Sequence, residues 1–286
     1  MARLLLNPSP DASTFNPHKD TYMNKMPKVI LLAGLTGFAL SCGIARAEDA
    51  PAAAPAAPEP DYTLAWKLGL YSEYEYRGIS QSSEKPAGQL NIDFTHKSGF
   101  YLGTFLSNIK WLKDTADVNG FSTGARVEWD IYGGYRYEFI KDWTLDVGYL
   151  RYEYPSSGSF NPSPDTDEVY IGVATGPWSA KYSYSINDTF GVPNSKGSDY
   201  FELDWNPPVT FISDKLTFNG VLGHQTYAHN GSLSYTVWKA GGTWDFGGGW
   251  NAGAYVKGTN AEHDLYTVKG KDWSETRLVG FVTYTF

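Results

Sequence analysis

Nucleophilic or metal chemistry in this 286-residue chain would have to rest on five histidines and a single cysteine, and neither set is arranged for it. Cys42 lies inside the longest apolar run, "VILLAGLTGFALSCGIA". His96 sits beside a turn, and His229 and His263 sit in polar loops without the spacing of metal ligands, so no metal and no cofactor is expected. His224 is the one candidate for lipid chemistry, because it shares parity with the apolar residues Leu216, Phe218 and Leu222. A hydrolase would also need a nucleophile and an orienting group in reach, and no Gly-x-Ser-x-Gly stretch accompanies it. A packing histidine is the preferred reading, and no enzyme is expected. "DTDE" at 165–168 offers oxygens to calcium but lacks the grammar of a binding loop, and reads as a solvated acidic loop.

The charged residues form a more coherent pattern. In "WKLGLYSEYEYR" Trp66, Leu68, Leu70, Tyr74 and Tyr76 alternate with Lys67, Glu73, Glu75 and Arg77. "QLNIDFT" sets Leu90, Ile92 and Phe94 against Gln89, Asn91 and Asp93. "ARVEWDIYGGYRYEF" sets Val127, Trp129, Ile131, Tyr135, Tyr137 and Phe139 against Arg126, Glu128, Asp130, Arg136 and Glu138. Period two is the signature of a strand with unlike faces, and unpaired charges cannot be buried in a dry core. The ionised face must therefore meet water or partners.

Two architectures satisfy this: a soluble antiparallel sandwich, or a membrane barrel with its apolar face outside. The connections decide between them. Short ones occur at 97–99, 140–142, 176–177 and 247–249; long polar ones lie between them at 77–87, 112–124, 155–166, 188–198, 226–234 and 258–273. Only "NPPVTFISD" at 206–214 spoils the series. Outer-membrane barrels combine short periplasmic turns with longer outer loops. The expected fold is therefore all-β, a closed antiparallel transmembrane barrel of about 12 strands. Its strands are expected at 63–76, 88–96, 100–111, 125–139, 143–154, 167–175, 178–187, 199–205, 215–225, 235–246, 250–257 and 274–286. The third and fifth have mixed faces, which leaves their orientation open.

Composition agrees. Aromatics make up 16% of the chain and glycine numbers 30, yet mean hydropathy is only −0.37, as expected when alternate residues face lipid. Phe100, Trp143, Trp178 and Trp250 each follow a short turn, where an aromatic girdle would sit. The strand "RLVGFVTYTF", with Tyr284 and Phe286 on its apolar face, reads as a signal for the barrel-assembly machinery. Lys25 and Lys28 precede the apolar run and Ala45-Arg46-Ala47 follows it, so Met23 or Met26 to Ala47 is expected to be a cleaved export signal, with residues 1–22 an over-extended start. A long basic leader is the alternative to that start, and lipid attachment at Cys42 the lesser alternative to cleavage. Residues 48–61, "EDAPAAAPAAPEPD", form a stiff Pro/Ala spacer, and 62–286 the barrel. Losing residues 1–47 would move the net charge from −8 to about −11, which excludes nucleic acid as a partner.

The expected inward set is Lys67, Glu73, Glu75, Arg77, Asp93, Arg126, Glu128, Asp130, Arg136, Glu138, Asp146, Lys181, Glu202, Lys257 and Arg277. Two roles are open for Arg77. It either sets a constriction with a loop folded over the mouth, or pairs with Glu75 or a neighbouring strand to fix register, the preferred reading. With ~12 strands about 4.8 Å apart and tilted ~40°, inward side chains would leave on the order of 10 Å of bore.

The stretches "YRGISQ" (76–81), "PAGQLNIDF" (86–94), "SGFYLGTFLSN" (98–108) and "EWDIYGGY" (128–135) resemble the opening of the TorF-type porin family, also labelled Gcw_chp. After about residue 140 the likeness thins, although "WKAGGTWDFGGGWNAGAYVKGTN" (238–260) is similar to the family's late hairpin. The Pro/Ala spacer is not part of that pattern. The resemblance implies an outer-membrane porin of a Gram-negative bacterium, passing small hydrophilic solutes, with no substrate or catalytic residue attached. Its expected partners are outer-membrane lipids and lipopolysaccharide, periplasmic chaperones and, as an option, further copies of itself. A lipid hydrolase and a closed structural or adhesive barrel are the alternatives.

Overall fold

The structure, a computed structural model, describes residues 60–286. The expected export signal and nearly all of the spacer lie outside the described residues. Sixteen strands and two short helices follow in order: β1 (Tyr62–Tyr71), β2 (Glu75–Tyr76), β3 (Ile79–Ser80), β4 (Ala87–His96), β5 (Phe100–Asn108), α1 (Trp111–Val118), β6 (Val127–Ile140), β7 (Trp143–Glu153), β8 (Thr166–Thr175), β9 (Trp178–Ser185), β10 (Asp199–Trp205), β11 (Leu216–Thr226), β12 (Tyr235–Gly247), β13 (Trp250–Thr259), α2 (His263–Tyr266), β14 (Thr267–Val268), β15 (Lys271–Asp272) and β16 (Arg277–Thr285). Twelve of them form one closed antiparallel barrel, in which β1 pairs with β4 on one side and β16 on the other. The four two-residue strands form small hairpins in loops.

Closure leaves no free edge, so the backbone polar groups of the wall are satisfied within it. The seam runs from Lys67↔Thr285 to Tyr71↔Phe281, and Trp66 and Phe286 exchange backbone hydrogen bonds of 3.0 Å beyond it. The alternation then sorts the side chains. On β1, Leu68 and Leu70 are 48% and 70% exposed on the outside, whereas Lys67, just before them, is 9% exposed and faces in. The two strands with mixed faces resolve the same way. Phe100 and Leu102 of β5 face out while Tyr101 and Phe105 face in, and Trp143, Val147 and Tyr149 of β7 face out while Thr144, Leu150 and Tyr152 face in.

The connections keep two lengths. Short turns join β4 to β5, β6 to β7, β8 to β9 and β12 to β13 at one end, while the long loops crowd the other. The irregular 206–215 segment lies at the short-turn end, held by hydrogen bonds from Asn206 N to Pro177 O and from Val209 N to Leu216 O. One expectation fails at the first strand. β1 ends at Tyr71, and residues 72–86 leave the wall and fold into the barrel.

Inward glycines make room for inward tyrosines. Tyr132 of β6 lies against Gly103 of β5, Tyr101 of β5 against Gly134 of β6, and Tyr170 of β8 against Gly148 of β7. A Cβ on Gly148 would sit 2.4 Å from the Tyr170 Cζ and hydroxyl oxygen and 2.8 Å from Gly133 O. Gly148→Val is therefore expected to destabilise the barrel by about 1–3 kcal/mol, read as a lower unfolding midpoint in lipid vesicles; an unchanged midpoint would show that the ring simply moves away.

Candidate functional site

The interior divides into an outer part filled by the first loop and a lower part lined by the wall alone. Residues 73–83 are all buried. Their charges match the wall's. Glu75 Oε1 accepts from Lys239 Nζ at 2.9 Å and its Oε2 from Gly78 N at 2.9 Å, while Glu73 accepts from Arg277 Nε at 2.8 Å. The loop's own cation faces the opposite wall. Arg77 donates through Nη1 and Nη2 to both oxygens of Glu168 at 3.0 and 2.8 Å, and through Nη1 to Gln225 Oε1 at 2.7 Å. Its guanidinium also stands 4.6 and 4.2 Å from the ring centres of Tyr76 and Tyr200. A planar fork held by three hydrogen bonds and two neighbouring rings is pre-organised in a way an ammonium cannot reproduce.

Two backbone features make the fold-in possible. Arg77 takes a left-handed conformation, φ 44°, and Gly78 follows at φ 84°, close enough to Val237 that a Cβ would meet its Cγ2 at 2.6 Å. Lys257 Nζ then donates to Gly78 O at 3.0 Å and to Trp273 O at 3.1 Å, tying the turn to the wall and to the last loop. Tyr74 and Tyr154 donate to the two oxygens of Glu128 at 2.5 and 2.8 Å. Around these polar ties Tyr76, Ile79, Trp111, Tyr152, Phe190, Val237 and Trp273 form an apolar cluster, so the outer half of the cylinder packs like a small domain.

The lower interior is polar. Tyr132 donates to Asp93 at 2.5 Å and Tyr101 to Asp146 at 2.7 Å. Arg136 Nε reaches the other Asp146 oxygen at 3.2 Å, with its guanidinium 3.8 Å from the Tyr101 ring centre. Lys181 faces in beside Tyr170, and Tyr200 donates to Glu202 at 2.9 Å. Several carboxylate oxygens find no donor among the described residues: both of Asp130, Oε1 of Glu202 and Oδ1 of Asp204.

Several sequence expectations need correction. Tyr74 and Tyr76 do not meet lipid but lie inside the barrel, and Glu73, Glu75 and Arg77 belong to the infolded loop and not to the wall. Arg77 pairs neither with Glu75 nor with an adjacent strand to set register; its partners lie across the interior on β8 and β11. Arg126 is exposed at the rim, where its Nη1 donates to Thr123 O and Ala125 O. Glu138 is exposed at the short-turn end, accepting from Asp142 N. Lys67, Asp93, Glu128, Asp130, Arg136, Asp146, Lys181, Glu202 and Lys257 face inward, and Arg277 closes the outer rim against Glu73, Glu84 and Glu275. Glu168, Asp204 and Lys239 were missed, although the parity of "FELDW" and "VWKAG" marks the last two as plainly as it marks Glu202.

Among the described residues, neither His224 nor His263 stands in a triad-like arrangement. His224 faces outward and Nδ1 lies 2.9 Å from Thr236 Oγ1. His263 meets Asp272 and Ser274 through the same Nδ1, which is not the two-sided relay a nucleophile needs. Among the described residues no group of three or more His, Cys, Asp or Glu is placed to hold a metal. Phe100, Trp143, Trp178 and Trp250 are exposed on the outside at the short-turn end.

The chain belongs to the Gcw_chp family, described as bacterial proteins of unknown function, whose model matches residues 53–286. No curated protein matches it in sequence. Among solved structures, the KdgM porin aligns at 12% identity over 78% of this chain and 98% of its own, with a TM-score of 0.46. The NanC porin aligns at 10% identity over 78% and 98%, with a TM-score of 0.44. Pseudomonas aeruginosa OprD does so at 10% identity over 78% and 66%, with a TM-score of 0.39. At such identities and scores the likeness has no bearing on solute or mechanism.

Two outcomes test the filled outer half. Arg77→Ala removes the cation from a buried pair and leaves Glu168 uncompensated, a loss of about 3–5 kcal/mol. The expected result is protease cleavage within residues 72–86 of the embedded protein, where the parent resists. The second concerns α1. Burial alone would raise the Asp114 carboxyl, but hydrogen bonds from Ser83 and Lys269 and the nearby Lys110 charge outweigh it and hold it below its ordinary value. A carboxyl lowered in the folded state contributes stability above the ordinary carboxylate range and loses it as pH falls through the lowered value. Cleavage within residues 109–126 by an acid-active protease should therefore rise as pH falls below that range. Asp114→Asn should flatten the dependence.

Proposed function

We propose that this Gcw_chp family member is an outer-membrane porin whose first loop narrows the bore, admitting small hydrophilic solutes and favouring cations. The observation that carries the reading is a closed barrel with an apolar outside and ionised residues inside, an inversion that suits only a wall with lipid on one side and water on the other. The long-loop end would face the exterior and the short turns the periplasm, with Phe100, Trp143, Trp178 and Trp250 at the inner interface. Tyr284 and Phe286 would serve the assembly machinery. An export signal ending at Ala47 and a spacer to residue 61 belong to the same proposal, as does the finer kinship with the TorF-type porins suggested by "YRGISQ" and its companion motifs.

The mechanism is passive diffusion. No step of bond chemistry is required of any residue; the wall presents donors and acceptors that replace part of a solute's water shell. Inward carboxylates outnumber the inward cations, and the resulting negative field along the bore supports a preference for positive charge. Pairing of the loop with both walls explains why the bore at the outer end would be narrower than the ~10 Å that strand number alone allows.

A closed structural barrel is the second reading, favoured by the apolar cluster around Tyr76, Phe190 and Trp273. Planar-bilayer recording separates the two. The proposal expects small discrete steps with cation-selective reversal potentials, a several-fold larger conductance when residues 73–85 are replaced by a short Gly/Ser link, and weaker selectivity in Asp130→Asn/Asp204→Asn. Silence of both the parent and the loop-replaced protein, with insertion verified, would overturn it in favour of the closed barrel.

A further inference from the structure

The lipid-facing wall is not uniformly convex. From β13 across β16, β1, β4 and β5 to the start of β6 it carries a hollow of about 670 Å³ with Leu68, Leu70, Leu90, Leu106, Val127 and Val282 around it. That volume falls in the range of small-ligand sites, ~300–1,000 Å³. Its floor is open where β4 has Gly88. A Cβ there would come no closer than 3.9 Å to Asn108 Oδ1 or Leu70 Cδ2. Asn108 also lines the space, with its amide tied to the backbone: it accepts from Gly88 N at 2.7 Å and donates to Pro86 O at 3.3 Å.

The rim directly above is basic. Lys85 precedes β4, while Lys110 follows β5 and Arg126 precedes β6, the two being brought together by the hydrogen bond from Ile109 N to Arg126 O at 2.8 Å. Lys85 and Arg126 are exposed, and none of the described carboxylates forms an ion pair with either. Lys110 is half-exposed and shares Asp114, at 3.3 Å. Nearby Glu84 is turned the other way, onto Lys271 and Arg277. The rim over β7 and β8 differs. There Glu153, Asp165 and Asp167 surround Arg151, so positive charge is not a general property of the outer edge.

We propose that this face binds one phosphorylated glycolipid of the outer leaflet, with an acyl chain in the hollow and its phosphates on Lys85, Lys110 and Arg126. Apolar burial and phosphate attraction then act at the two ends of one molecule, as in other surfaces that read both the tail and the headgroup of a lipid. Three cations from two neighbouring loops suit a headgroup with more than one phosphate better than a single-phosphate lipid. The inference rests on the outer-membrane reading for which leaflet meets the long-loop end.

The test is native mass spectrometry of the purified full chain, folded in detergent as judged by heat-modifiable mobility, with bisphosphorylated lipid A as the probe. The expected result is one retained equivalent, with retention lowered by about tenfold or more in Lys85→Gln/Arg126→Gln. Gly88→Leu, which fills the hollow at a position with room for a side chain, should lower it similarly while leaving the unfolding midpoint unchanged. Equal retention by the parent and both variants overturns the proposal, as does equal retention of dephosphorylated lipid A or of phosphatidylglycerol. A dimer abolished by Gly88→Leu, without lipid retention, overturns it in favour of a second copy on this face. Lipid retention does not depend on conductance, so a silent barrel that retains the lipid contradicts the transport reading and keeps this site, and a conducting barrel that retains none does the reverse.

Discussion

The constraint behind the whole molecule is that a backbone surrounded by lipid must find all its hydrogen bonds within the protein. Twelve strands meet it by closing on themselves, with β1 joined to β16. Once closed, the sheet has two faces that differ in curvature and in solvent. Apolar residues on the convex face lose nothing by exposure to oil, whereas the ionised residues between them converge on a space too narrow to keep them apart. Pairing inside the cylinder follows from this geometry. Tyr132 meets Asp93, Tyr101 and Arg136 meet Asp146, and inward glycines provide room for the rings.

The infolded first loop extends the same logic. A wide cylinder lined with unpaired charges at its outer end would leave Glu168 and Lys239 facing each other's fields across water. The loop supplies the opposite charge to each, Arg77 to Glu168 and Glu75 to Lys239, and surrounds both pairs with aromatic rings. Charge pairs in such surroundings are worth little more than the desolvation they cost, but breaking one is expensive, which makes them good at fixing a single position for the loop. The outer pairs thus fix the infolded loop, while further inward carboxylates, among them Asp93 and Asp146, pair with the tyrosines and Arg136 of the wall.

Much of this was legible in the chain. The period-two pattern located all twelve wall strands, β10 to the residue at 199–205, because in a two-solvent wall every strand must carry the signal. Loop lengths told the two ends of the barrel apart, because the short turns and the long loops gather at opposite ends. The alternation misled at residues 72–76, where Glu73, Tyr74, Glu75 and Tyr76 continue the rhythm of β1 without belonging to it. Alternation reports that neighbouring side chains have unlike surroundings, and a segment packed against a charged wall and an aromatic cluster satisfies that as well as a strand in lipid does. Nor could spacing identify the partner of Arg77, since Glu168 and Gln225 lie 91 and 148 residues away in the chain and meet it only through closure. The lipid-facing hollow was invisible for a related reason: it depends on Gly88 lying between Leu70 and Asn108 on neighbouring strands.

The central claim is the inversion of faces, and it is tested most directly along β9. Single cysteines at each position from Trp178 to Ser185, labelled with bimane in vesicles of lipids with brominated acyl chains, would report which side chains touch hydrocarbon. The account predicts strong quenching at Trp178, Ala180, Tyr182 and Tyr184 and little at Ser179, Lys181, Ser183 and Ser185. Quenching of the second set, or no alternation at all, would contradict it.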